Sequence, residues 1–298
     1  MSEGSSSAEK SAKKIRDRME ETFARYEPRE ETPQLPHITE ETPRTVETAV
    51  APQEAGRARQ IETGIAGLDA LTEGGLPSNS LILVLGEPGS HYDTFVRQVL
   101  YNHGCRQGKV AYYVAECPSE DVCQQMETFG WDLQQSMARG NWVFVNLRTH
   151  DLEEYAMLAP KTTSEGSSLP LTESLNGLKT DLLNKTREKC WTTVELSHLL
   201  HQYELIDILN LVIYWRRAIR TCEGIHFALL PLGVHPENAV NALAHAADGV
   251  LEFRIQEKPR SFEQTIALRK LMGLRRPLKI PFRVGENGIV FETVARIG

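Results

Sequence analysis

Leu81-Ile82-Leu83-Val84-Leu85-Gly86-Glu87-Pro88-Gly89-Ser90-His91-Tyr92-Asp93-Thr94-Phe95-Val96 decides the fold. Five apolar residues in a row, without polar alternation, predict a strand buried on both faces, as in the interior of a parallel sheet. The run ends in the turn Gly86-Glu87-Pro88-Gly89, and Phe95, Val96, Val99 and Leu100 then recur at helical spacing, so a helix is predicted over 92–103. A strand entering a glycine turn that opens a helix aims backbone N–H groups and the positive end of a helix dipole at one point. That is the setting of a phosphate loop. The working motif is G-x4-G-K-[ST], with lysine on the β/γ-phosphates and a hydroxyl on Mg²⁺. Here Gly86 and Gly89 remain, but the last three motif positions are His91, Tyr92 and Asp93.

Outward from this stretch, short apolar runs alternate with helical stretches from residue 61 onward, the rhythm of βαβ units and a mainly parallel sheet. Strands are predicted over 80–85, 109–115, 142–147, 191–196, 225–232 and 249–255, with helices over 92–103, 119–128, 204–222 and 236–247. Residues 151–187 read as less regular, with an exposed Ser/Thr/Gly-rich loop over 162–168. The stretch 265–293 reads as a strand and a hairpin turning at Glu286-Asn287-Gly288. No internal repeat is visible. Residues 59–298 are therefore one α/β domain, long enough to bury a single core.

Residues 1–58 differ. They are Ser-rich and then crowded with Glu, Arg, Thr and Pro, a composition that predicts a disordered tether. Within them, 8–26 lacks Gly and Pro, and Ile15, Met19, Phe23 and Tyr26 form a narrow apolar stripe, either a docking helix or a transient one on a solvated tail. Overall the 298 residues are 41% hydrophobic and 24% charged, an ordinary globular usage, and the net charge of -7 provides no general attraction for nucleic acid or an anionic membrane. No apolar run approaches the length of a membrane span and the N-terminus lacks a signal-peptide core, so a cytoplasmic chain is expected. The five cysteines lack paired CxxC spacing and the histidines lack helical i, i+4 pairing, although His198 and His201 lie three apart; no metal site is expected.

Several segments carry a resemblance. Ile61-Glu62-Thr63-Gly64-Ile65-Ala66-Gly67-Leu68-Asp69 with Gly74-Gly75-Leu76-Pro77 resembles the opening TGI-x-GLD…GG-[IL]-P of the KaiC/RadA branch of RecA-like ATPases. Residues 110–122 with Met126 and Phe129-Gly130-Trp131, then Ala247-Asp248-Gly249-Val250, then Pro281-Phe282 with Gly288-Ile289, are similar to later segments of that family in the same order. The resemblance implies a RecA-like three-layer α/β sandwich with a C-terminal antiparallel hairpin, an oligomer of like or related subunits, and an ATP site.

The same resemblance marks what is altered. Tyr92 replaces the lysine and Asp93 the Mg²⁺ hydroxyl; Asp93 suits the helix dipole but repels phosphate. Thr94 shifting into the metal role, or a protonated His91, leaves weak Mg-ATP binding open. Matching Leu196-Ser197-His198-Leu199 to the family's D-S-L-S-x-L puts Val194 where the metal-side aspartate belongs, so that Glu195 serves only if the strand carries a bulge and is otherwise a surface or capping residue. The family's glutamate pair becomes Glu116-Cys117, leaving Glu116 as a candidate for polarising water or for capping the next helix. The trans finger K-x-R becomes Lys270-Leu271-Met272, with the lysine kept. No nucleotide or metal cofactor is expected, and the chain reads as a non-hydrolysing regulatory or scaffold subunit, analogous in logic to the RecA-like Elongator subunits. An ATP-binding signalling ATPase with altered ligands is the first alternative. A DNA-binding recombinase paralogue, using Arg269, Lys270, Arg275, Arg276 and Lys279, is the second.

Overall fold

The computed structural model describes residues 59–115, 117–147, 175–259, 261–274 and 276–291. The expectations for 1–58, and for the loop at 162–168, lie outside the described residues. The chain opens with β1 (Gln60–Ile61), α1 (Ala66–Leu71) and β2 (Leu76–Pro77), a small antiparallel pair bracketing a short helix. Asp69 ties this segment together by accepting from the Thr63 amide at 2.9 Å and the Thr63 hydroxyl at 2.7 Å.

Then follow β3 (Ser80–Gly86), α2 (Tyr92–Cys105), β4 (Lys109–Val114), α3 (Ser119–Glu127), α4 (Gln134–Ala138) and β5 (Trp142–Asn146). Next come α5 (Leu175–Arg187), β6 (Cys190–Glu195), α6 (Leu196–Gln202), α7 (Leu205–Ile219), β7 (Ile225–Pro231) and α8 (Glu237–Ala246). The end is β8 (Gly249–Lys258), β9 (Ser261–Lys270), β10 (Leu278–Gly285) and β11 (Gly288–Phe291).

Among the described residues the main sheet has nine strands in the order β11-β10-β9-β8-β3-β7-β6-β4-β5. The segment from β8 to β5 is parallel, and β8 to β11 is antiparallel. β3 lies between β7 and β8 and is buried throughout, which explains its unbroken apolar run.

Alternation sorts the core into two layers. Ile82 and Val84, Tyr112, Trp191, Phe227 and Phe253 face α2 with its Phe95, Val96 and Val99. Leu81, Leu83, Leu85, Tyr113, Val194 and Ala228 face the opposite way, onto Leu178 and Leu182 of α5 and Ile208, Leu211 and Trp215 of α7. Helices cover both faces, as a parallel sheet requires.

Two readings need correction. Leu175–Arg187 is a helix, not irregular chain: its buried positions Leu178, Leu182 and Thr186 lie four apart. Its polar residues belong to the outer face, which had masked the period. The antiparallel end is also larger than a strand and a hairpin, because β8 runs on to Lys258 and turns directly into β9 at Ser261. The polar exposed tips of these strands hid that hairpin. At the far edge, the Gln98 side chain takes the place of a further strand: its Oε1 accepts from the Ile289 amide at 2.7 Å and its Nε2 donates to the Ile289 carbonyl at 3.3 Å.

Candidate functional site: an altered phosphate loop

The turn after β3 keeps the backbone shape that glycines ordinarily supply. Gly89 has φ +78, and His91 stands in the left-handed region at φ 58 and ψ 28, where a side chain is strained. Among the described residues, the amides of His91, Tyr92, Asp93 and Thr94 find no backbone acceptor, so the donors of an anion-binding helix start are in place. The loop is held from beside and below. The Leu232 amide donates to the Gly86 carbonyl at 2.8 Å, and Glu87 clamps the loop to β8 by accepting from the Ile255 amide at 2.9 Å and from Arg254 at 2.8 Å. Ser90 is fully buried within the turn, its Oγ without a hydrogen-bond partner among the described residues.

The side chains depart from that backbone. The Tyr92 ring lies directly on Gly86: a Cβ added to Gly86 would fall 2.1 Å from Tyr92 Cδ1. Gly86 is therefore required here by the ring as well as by the turn. Burial, and then the nearby charges of Glu195 and Asp93, raise the Tyr92 phenol well above its usual range, so it stays neutral. Asp93, in the first turn of α2, forms an ion pair with Arg97 one turn on at 3.2 Å. Arg97 is largely buried and also donates through Nε to the Tyr112 hydroxyl at 3.2 Å and through a terminal nitrogen to Gln125. Burial opposes its charge, but Tyr112 and Asp93 outweigh that and hold the guanidinium above its usual pKa. Thr94 is buried, and its Oγ1 lies 3.4 Å from His91 Nδ1. No cluster of three or more His, Cys, Asp or Glu residues able to hold a metal occurs among the described residues.

Glu195 changes the sequence reading. β6 pairs with β4 through Tyr112↔Thr193 and with β7 through Val194↔Ala228 and Glu195↔Leu229, without a bulge. Trp191 faces α2 while Val194 is fully buried on the opposite side, so alternation puts Glu195 on the face of the phosphate loop. Its charge reaches Tyr92, Tyr112 and Cys117. Glu195 therefore faces the loop without a bulge in β6, while Val194 lies in the opposite core. Glu195 occupies the N-cap position of α6 without a side-chain capping bond.

The other candidates separate. Cys117 lies half-buried near the site, its thiol raised by burial and then by Asp121. Glu116 lies outside the described residues. Lys270 is far from being a free finger within its own chain: its Nζ donates to the carbonyls of Ala244 at 3.4 Å, His245 at 3.1 Å and Ala247, capping α8. Burial, and then Arg216, lower its pKa. Met272 is half exposed, and Arg269 is bound to Glu252, which also binds Arg254. Sequence reasoning missed Arg97, Tyr112, Gln125 and Arg254; the i, i+4 spacing of Asp93 and Arg97 was the one available signal.

The family model for the KaiC-type ATPase matches residues 61–190. A UPF0273 protein of Thermotoga maritima is 34% identical over 238 residues, covering 78% of this chain and 95% of its own. The chain belongs to the KaiC-like family of RecA-type P-loop ATPases. This KaiC-like chain is also 39% identical over 95 residues to the circadian clock protein KaiC3 of Synechocystis, a match spanning 32% of the chain and 19% of that protein. The crystal structure of a KaiC-like protein from Pyrococcus horikoshii shares the fold, with a TM-score of 0.62 and 21% identity over 79% of this chain and 99% of that one. Among the described residues no helix is long and apolar enough to cross a membrane.

Proposed function

We propose that this KaiC-like protein is a non-hydrolysing regulatory or scaffold subunit that acts through assembly with like or related subunits. The observation that carries the reading is Tyr92, a neutral half-buried ring lying on Gly86 where the motif places the phosphate-binding lysine. Beside it, Asp93 puts a carboxylate where a metal-binding hydroxyl is needed and is already partnered by Arg97. These residues do not fit tight Mg-ATP, because phenol and carboxylate offer neither the cation nor the neutral ligand that phosphoryl transfer uses. Calorimetry of the full chain with Mg-ATP, paired with a phosphate-release assay, tests the reading. Absence of both binding and release is expected. Micromolar binding that is lost on Glu116→Gln, together with measurable release, overturns it.

One set of observations favours the second reading, an ATP-binding signalling ATPase with altered ligands. The loop backbone keeps its positive-φ positions at Gly89 and His91, and Glu195 lies on the phosphate side of β6. A backbone cradle alone binds anions. The same calorimetry separates the two readings, since weak binding without phosphate release supports only the backbone cradle.

A further inference from the structure

We propose that His201 and His235 form a two-imidazole site for a borderline divalent cation of the zinc and nickel class. The residues come from different elements: His201 from the last turn of α6, and His235 from the link between β7 and α8. The fold brings their ring centroids to 5.1 Å with the planes inclined by 40°. Two imidazoles bound to one tetrahedral cation have centroids about 5.2 Å apart, from nitrogen–metal bonds of roughly 2.05 Å and ring centres about 1.15 Å behind each nitrogen. The observed separation is the one chelation needs, and it is also that of a tilted ring pair such as Phe95 on Phe253, at 5.2 Å and 47°, so the metal titration below decides between the two.

A contact that can orient one ring is present. His235 Nε2 lies 2.7 Å from Ser197 Oγ, and Ser197 is buried. With Nε2–H donating to that hydroxyl, the His235 lone pair is left on Nδ1, the arrangement that orients a metal-binding imidazole. His201 is exposed and Val234 beside His235 is 51% exposed, so a cation can enter from solvent. Because the described residues offer no cluster of three protein ligands, water completes the coordination. Imidazole donors without carboxylate or thiolate select zinc, nickel or copper over magnesium or calcium. A bound cation would pin α6, which follows β6, to the link after β7.

The test is calorimetry of the reduced full chain with Zn²⁺ and with Ni²⁺, and absorption spectra with Co²⁺. One cation per chain in the micromolar range is expected, weakened by about tenfold or more in His201→Ala and in His235→Gln, and by roughly tenfold in Ser197→Ala. His245→Ala, a control on α8, leaves it unchanged. Unchanged affinity in both His201→Ala and His235→Gln overturns the proposal, as does a Co²⁺ spectrum with thiolate charge transfer, which would place the ion on cysteine. No binding by the folded wild-type chain overturns it equally. None of these outcomes touches the reading of the phosphate loop, which is tested with nucleotide.

Discussion

Writing the working phosphate-loop residues into three positions, His91→Gly, Tyr92→Lys and Asp93→Thr, gives the turn after β3 a cation and a neutral metal ligand on a backbone with left-handed positions at Gly89 and His91. The gain can be worked from the charges. A carboxylate roughly 6 Å from a phosphate charge repels it by about 2.8 kcal/mol at an effective dielectric constant of about 20. Arg97, paired with Asp93 at 3.2 Å, cancels part of that, so about half is recovered on removing Asp93. An ammonium about 4 Å from phosphate attracts it by roughly 4 kcal/mol on the same scale, of which about half survives desolvation and ordering of the lysine chain. The sum is roughly 3 kcal/mol, about two orders of magnitude in Kd. His91→Gly adds no affinity by itself, but releases about 1–2 kcal/mol of left-handed strain against a glycine entropy cost of about 0.5–1 kcal/mol. Calorimetry with Mg-ATP, alongside circular dichroism to establish folding, reads the difference between variant and parent. A folded triple variant that binds no more tightly than the parent refutes the reasoning, because the side chains would then not be what closes the loop.

Three further outcomes follow from the packing. Gly86→Ala drives a methyl into the Tyr92 ring and destabilises the chain by about 1–3 kcal/mol; urea titration should show this cost shrinking sharply in a Tyr92→Ala background, and equal costs in both backgrounds refute the contact. Burial lowers His226 to about 3, with His103 adding to the effect, and burial lowers His103 itself to about 4. Both values lie below the unfolded 6.5, so the unfolded chain takes up the protons and stability, complete above pH 6.5, falls as pH drops toward 4 and 3. His226 alone accounts for about 2 kcal/mol between pH 7 and pH 5, and His226→Gln should remove that share of the pH dependence of the urea midpoint. Lys270→Met keeps the stem but removes the cap on α8, and should lower stability by about 1 kcal/mol in the isolated chain; no loss would mean the three carbonyl contacts contribute nothing.

Much of the fold was legible because it rests on runs with only one interpretation. Leu81 to Leu85 are apolar without alternation and bounded by a glycine turn, the pattern of a central parallel strand, and all are buried. The period of Phe95, Val96, Val99 and Leu100 likewise fixes the buried side of the helix after the loop. What stayed hidden lacks a local signature. Leu175–Arg187 buries only Leu178, Leu182 and Thr186, too sparse a stripe to stand out from polar chain. Ser261, Phe262 and Glu263 belong to β9 through pairing with β8, a long-range effect that their own exposed or half-exposed side chains do not signal. His201 and His235 are brought together only by the sheet order.

The composition of the site was legible and the facing of its residues was not, as Glu195 shows. Counting back from Leu196-Ser197-His198-Leu199 assumes that the strand and the following helix keep a fixed spacing, yet α6 begins at Leu196 directly after β6. A count across such a junction does not fix which face a strand residue takes, because a shift of one residue within a strand turns every side chain over. Thr193↔Phe227 and Val194↔Ala228 hold Val194 in the opposite core, and the carboxylate beside it necessarily faces α2. An acidic residue therefore faces the loop, and the loop backbone presents its amides. On that backbone Tyr92 and Asp93 place a neutral ring and a carboxylate where an anion would sit, which is why exchanging them, with the strained His91, is the perturbation that tests the loop.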